Sequence, residues 1–159
     1  MSDMSFKEKS IWGTLAAVTV VGTLYFWTVV QMLGVGAVNL VALGKLAVGL
    51  TIFFIIVEIV LHSVLAAWSP REAEAGEDER DRLIELKGER VGGLLLGTGV
   101  AFTIGHIALN ALIASAPGVP PALTESSSHF VTANLLLFSL TISEIGKYVS
   151  QLVYYRRGT

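Results

Sequence analysis

The stretch IWGTLAAVTVVGTLYFWTVVQML, residues 11–33, decides the fold, because it contains no Asp, Glu, Lys or Arg. Crossing the ~30 Å hydrocarbon core of a bilayer as a helix takes about 20 such residues. Residues 46–57, 91–124 and 126–143 are uncharged as well. Lys7 and Lys9 precede the first stretch as they would in a signal peptide. A signal h-region, however, is only about 7–15 residues long. This run is longer and ends in Gln31-Met32-Leu33-Gly34 rather than at a small-residue cleavage site.

Composition agrees. Of 159 residues, 53% are hydrophobic and 15% are charged. Soluble domains average about 45–50% apolar residues even with Gly counted, and about 25% charged. A soluble bundle with four helices apolar all round would have nothing left to cover them. The sequence therefore predicts an all-α polytopic membrane protein forming one domain over 1–159. Its four transmembrane helices, near 11–33, 46–68, 91–115 and 130–154, form two hairpins in an up-down bundle. Gly34-Val35-Gly36 is expected to turn the chain, with Lys45 snorkelling to the surface beyond it. Pro70 closes the second span. Pro117, Gly118, Pro120 and Pro121 mark a loop between the third and fourth.

Basic residues set the orientation. Lys7 and Lys9, the central loop 69–90 with Arg71, Arg80, Arg82, Lys87 and Arg90, and Arg156 and Arg157 would share one side, against Lys45 on the other. The positive-inside rule then puts both termini and the central loop in the cytoplasm. Trp12, Trp68, Tyr154 and Tyr155 would lie at that boundary, where amphipathic rings prefer to sit. The net charge of −2 offers no field for nucleic acid, and the absence of cysteine removes disulfides and thiol chemistry.

Ionisable groups within spans are costly, about 2.5–3.5 kcal/mol on insertion scales, and point to function. Glu58 and Glu144 each stand ten residues before an interfacial aromatic, Trp68 and Tyr154. That count puts them ~15 Å deep. His62 shares a helix face with Glu58, and Lys147, Tyr148 and Gln151 share one with Glu144. A polar seam is expected, with the second and fourth helices facing each other across it. One Lys cannot neutralise two carboxylates, so at least one Glu is expected to be protonated or paired with His62. The seam would be either a packing salt bridge or a site for a proton, a cation or a polar ligand. In the third span Thr103, His106 and Asn110 form a secondary polar face, and Gly93 with Gly97 offers a close-approach pair for another helix.

No catalytic motif is present, so an enzyme is not expected. No metal or other cofactor is expected either. His62 and His106 differ in height by ~15 Å, too far to ligate one haem iron. The segment Asp78 to Lys87 reads as a charged helix running into the third span. Its Arg80, Leu83, Ile84, Leu86 and Lys87 form a candidate docking surface for a cytoplasmic protein, being more apolar than solvation requires. The two halves are weakly alike: Lys7 to Gly13 matches Lys87 to Gly93, and Glu58-Ile59 with His62 matches Glu144-Ile145 with Tyr148. A duplication would relate the hairpins by an axis along the membrane normal.

Asp78-Glu79-Arg80 followed by Ile84 and Lys87, the opening Ser5 to Ser10 and the ending Tyr154 to Gly158 resemble a group of small bacterial membrane proteins with no established activity. The resemblance implies a four-helix protein of the bacterial inner membrane. Group members commonly lie beside small helix-turn-helix regulators, which implies a role in signalling. The leading expectation is a non-enzymatic regulatory or interaction protein, homo-oligomeric as a dimer through the third span. The alternatives are a proton- or cation-coupled transporter or channel subunit using Glu58, His62, Glu144 and Lys147, and a cofactor-binding redox subunit.

Overall fold

A computed structural model of the chain contains four long helices: α1 (Phe6–Val35), α2 (Leu40–Trp68), α3 (Glu79–Ala114) and α4 (Glu125–Arg157). It describes residues 4–35, 39–68, 70, 78–115 and 125–157. Each helix is long and apolar enough to cross a membrane. The helices have 30, 29, 36 and 33 residues. At ~1.5 Å per residue every one exceeds the ~30 Å hydrocarbon thickness, α3 by more than 20 Å.

Local chemistry sets the helix ends. Ser5 caps α1, its hydroxyl accepting the Glu8 amide hydrogen at 3.2 Å, and Asn39 caps α2 by accepting from the Ala42 amide at 3.0 Å. Glu79 and Asp81 place negative charge in the first turn of α3, where the helix dipole favours it. The sequence expectation that Asp78–Lys87 continues into the third span holds as one unbroken helix. α1 remains helical through Val35, so the expected turn does not begin at Gly34. Gly36, Arg71, Pro117, Gly118, Pro120 and Pro121 lie outside the described residues.

Hydroxyls inside the apolar stretches are satisfied by their own helices. Thr19, Thr28, Thr51, Ser63 and Thr98 each donate to the carbonyl one turn back, at 2.7–2.9 Å. A lipid environment demands this, because no water is there to take the bond. The outward surfaces are apolar almost all round: on α2, Ile52, Ile55, Ile56, Ile59 and Val60 are all exposed. In water such a surface would be an aggregation face. In a bilayer it is the solvent-facing side.

The most extensive packing joins α3 to α4, followed by α1 with α4 and α1 with α2. Small residues make it close. Added Cβ atoms at Gly88 and Gly99 would run into Gln151 and Ser139, and one at Gly92 would lie 3.2 Å from the Lys147 Cβ. These contacts run in opposite directions along the two helices, from 88 against 151 to 99 against 139. Ser143 Oγ donates to the Gly92 carbonyl at 2.8 Å across the buried seam. Such bonds average about 0.6 kcal/mol in a membrane protein.

α1 lies between α2 and α4. Gly13 faces Leu61 of α2, and Gly22 faces Thr141 of α4. At the end away from the charges Tyr25 and Val29 of α1, Leu43 of α2 and Phe130 of α4 form a buried cluster. Nearby, Phe26 sits edge-on to Phe138 at 5.3 Å. The expected face-to-face arrangement of the second and fourth helices is not what forms. α2 and α4 have no extensive contact, because the small residues of α1 let it approach both.

Candidate functional site

The polar seam expected from the sequence divides into two clusters, one on each side of α1. In the first, Thr14 Oγ1 of α1 donates to Glu58 Oε2 at 3.0 Å, and His62 Nδ1 lies 3.5 Å from the same oxygen. His62 Nδ1 is also 2.9 Å from the Glu58 carbonyl oxygen, and its Nε2 is 3.0 Å from Ser10 Oγ. A carbonyl only accepts, so Nδ1 carries the hydrogen and Nε2 is left to accept from the Ser10 hydroxyl. Glu58 Oε1 is buried and has no hydrogen-bond partner among the described residues. Thr14 falls in the first turn of the uncharged stretch that begins at Ile11. Glu58 is therefore level with the start of that stretch on α1.

In the second cluster, Lys147 bridges two carboxylates, Glu144 Oε2 at 2.8 Å and Glu89 Oε1 at 3.4 Å. Its ammonium also lies 4.7 Å from the centre of the Tyr148 ring, within cation–π range. Lys147 side-chain exposure is only 15%, so both acids act on a largely desolvated charge. Glu58 and Glu144 are thus not brought together. Each is held by its own set of partners.

The charged end gathers around a cavity of about 260 Å³ between α1, α3 and α4. Asp81, Glu85 and Glu89 line it along one face of α3, one helical turn apart, and Lys7, Lys147 and Gln151 line it from the other helices. Lys7 pairs with Glu85 at 3.2 Å. The Tyr155 hydroxyl donates to Asp81 at 2.7 Å, and Arg80 donates to the Tyr155 carbonyl at 3.2 Å. An apolar groove of about 280 Å³ between α1, α2 and α4 begins on the far side of Tyr148, which lines both spaces. Glu144 stands at the groove's polar end.

The expected docking residues separate. Ile84 is 1% exposed and belongs to the packing beneath the extension, because it sits on the same face as the Asp81–Glu85 side. Arg80 is spent on the Tyr155 carbonyl, and Lys87 stacks 4.7 Å from the centre of the Tyr154 ring. Leu83 and Leu86 remain outward, 53% and 57% exposed. On the secondary face Thr103 is 2% exposed and bonds its own helix at Gly99, while the Asn110 amide nitrogen is 2.9 Å from His106 Nε2. These residues do not join the charged clusters.

Sequence reasoning missed Ser10, Thr14, Asp81, Glu85, Glu89 and Lys7 as parts of these clusters. The i,i+4 polar pair Ser10 and Thr14 at the head of α1 was a legible signal. The row of acids at 81, 85 and 89 was another. Among the described residues, no group of three His, Cys, Asp or Glu side chains could hold a metal ion. No known protein family, curated protein or solved structure matches the chain.

Proposed function

We propose that this chain is a regulatory or interaction protein of the bacterial inner membrane, with both termini and the helical extension of α3 on the cytoplasmic side. In this reading α1–α2 and α3–α4 are two hairpins. The chain forms a homodimer through the open α3 face that carries Gly93 and Gly97, where an added Cβ would meet nothing within 4 Å. A second, cytoplasmic protein docks on the extension. The observation that carries this function is a rigidly anchored helix with an apolar outer face. Ile84, the Lys7–Glu85 pair, the Asp81–Tyr155 bond and the Lys87–Tyr154 stack hold residues 79–90 from below. Leu83 and Leu86 are then left outward beside the exposed Arg82 and Arg90. A fixed helical face costs little ordering entropy on binding.

Photocrosslinking in native membranes tests it. A crosslinker at 83 or 86 is expected to give one discrete protein adduct, and a crosslinker at the lipid-facing Ile56 none. Lipid adducts alone at all three positions would refute it.

One observation favours a second reading, a proton- or cation-coupled transporter. The partly buried Lys147, between Glu144 and Glu89, stands where the polar cavity and the apolar groove meet at Tyr148. Flux in proteoliposomes that is unchanged by Glu144→Gln and Glu89→Gln would remove it.

A further inference from the structure

We propose that the cavity at the charged end is a binding site for a short aliphatic diamine, held through its two ammonium groups. Charge comes first. Asp81, Glu85 and Glu89 line the space and Glu144 sits behind Lys147, whereas the cavity's own cations are Lys7 and Lys147. Among these groups four carboxylates face two ammoniums, and the surplus is negative. Lys7 takes one oxygen of Glu85 and Lys147 one oxygen of Glu89, so each acid keeps a second oxygen for another donor.

Gln151 is the independent observation. It is 5% exposed and lines the cavity, and its carboxamide has no hydrogen-bond partner among the described residues. The amide therefore turns to the cavity rather than to a protein group, and is left to a donor or acceptor that enters it. Its position is fixed, because the side chain lies across Gly88, where any Cβ would displace it.

Shape selects among cations. Acids one turn apart on a helix repeat every ~6 Å along its axis. That is close to the reach of a four-carbon diamine, so its two ends can meet successive carboxylates. Ile11 and Ile84 supply the apolar wall for the methylenes between them. A bare metal ion would use neither the apolar wall nor the spacing.

The proposal is independent of the partner reading, since its test follows ligand binding alone. The full-length protein, in phosphatidylcholine nanodiscs, is titrated calorimetrically with 1,4-diaminobutane, with 1-aminobutane and with magnesium chloride. Expected is a single saturable site for the diamine, tighter than for the monoamine, with magnesium giving only nonsaturating screening. Glu85→Gln, a half-exposed position whose fold is checked by circular dichroism, and Gln151→Met should each weaken the diamine about tenfold or more. Should Gln151→Met fail to fold by circular dichroism, Glu85→Gln decides. Lipid headgroups also carry primary ammonium, so the titration is repeated in phosphatidylethanolamine discs. Weaker apparent affinity there identifies the headgroup as a competing occupant of the same site, and unchanged affinity identifies the free amine. No saturation by the diamine at millimolar concentration overturns the proposal. So does equal affinity for magnesium, or equal affinity in the folded variants.

Discussion

Gly99→Ala offers the sharpest mechanical test of the α3–α4 seam. A methyl group there would overlap the Ser139 hydroxyl and Cβ and lie 3.3 Å from the Ser139 Cα. The obstacle includes backbone, so no rotamer change relieves it and the helices must move apart. Overpacking of this kind costs about 1–3 kcal/mol. Replacing a helical Gly returns up to about 1 kcal/mol of propensity. The net expectation is a loss of about 1 kcal/mol. Gly97, two residues away on the same helix, has nothing within 4 Å of an added Cβ. Gly97→Ala should therefore keep the propensity gain, and the two variants should differ by about 2 kcal/mol. The assay is reversible unfolding in mixed micelles of mild detergent and dodecyl sulfate, followed by fluorescence of Trp12, Trp27 and Trp68. It should be run dilute enough that the chain is monomeric. Ser139→Gly in the Gly99→Ala background should restore most of the loss, because it removes the obstructing hydroxyl and Cβ. Equal midpoints for Gly99→Ala and Gly97→Ala, or no rescue, would refute the packing described above.

Other outcomes follow from the same contacts. Ile84→Ala should destabilise the protein by about 2–5 kcal/mol, whereas Leu83→Ala and Leu86→Ala should stay within about 0.5 kcal/mol. The same unfolding assay separates a packing residue from a docking face. Thr14→Val removes the donor to a carboxylate whose other oxygen already lacks one, and should cost about 1–3 kcal/mol. Replacing both partners, as Thr14→Val with Glu58→Leu, should recover most of that loss. Gly97→Leu should abolish dimer crosslinking in native membranes while leaving monomer stability near wild type. A dimer that persists would move the interface elsewhere.

Long uncharged stretches made the helices legible, since their length and composition leave one solvent in which they make sense. The extension of α3 was legible too, because Asp78 to Lys87 carries i,i+4 acid–base spacing without a breaker before the apolar run. Helix order in space was not. Glu58 with His62 and Glu144 with Lys147 read alike along the chain, which suggested helices facing each other. What decides the arrangement is that Gly13 and Gly22 fall on two sides of α1 and let it stand between α2 and α4. A one-dimensional pattern gives each helix its polar stripe but not the neighbour that stripe meets. The same limit hid the cavity at the charged end. The row Asp81, Glu85 and Glu89 is legible along the chain, but not that Lys7, Lys147 and Gln151 of two other helices line the same space.

Sidedness is the claim on which the functional proposals stand, and the cysteine-free chain makes it directly measurable. Single cysteines at Ser5, Glu79 and Arg157 should be inert to a membrane-impermeant maleimide in intact cells and react in inverted vesicles. Single cysteines at Lys45 and Ser115 should do the reverse. Labelling of Ser5 and Glu79 from opposite faces, or of Ser115 from the same face as Glu79, would contradict the four-span topology.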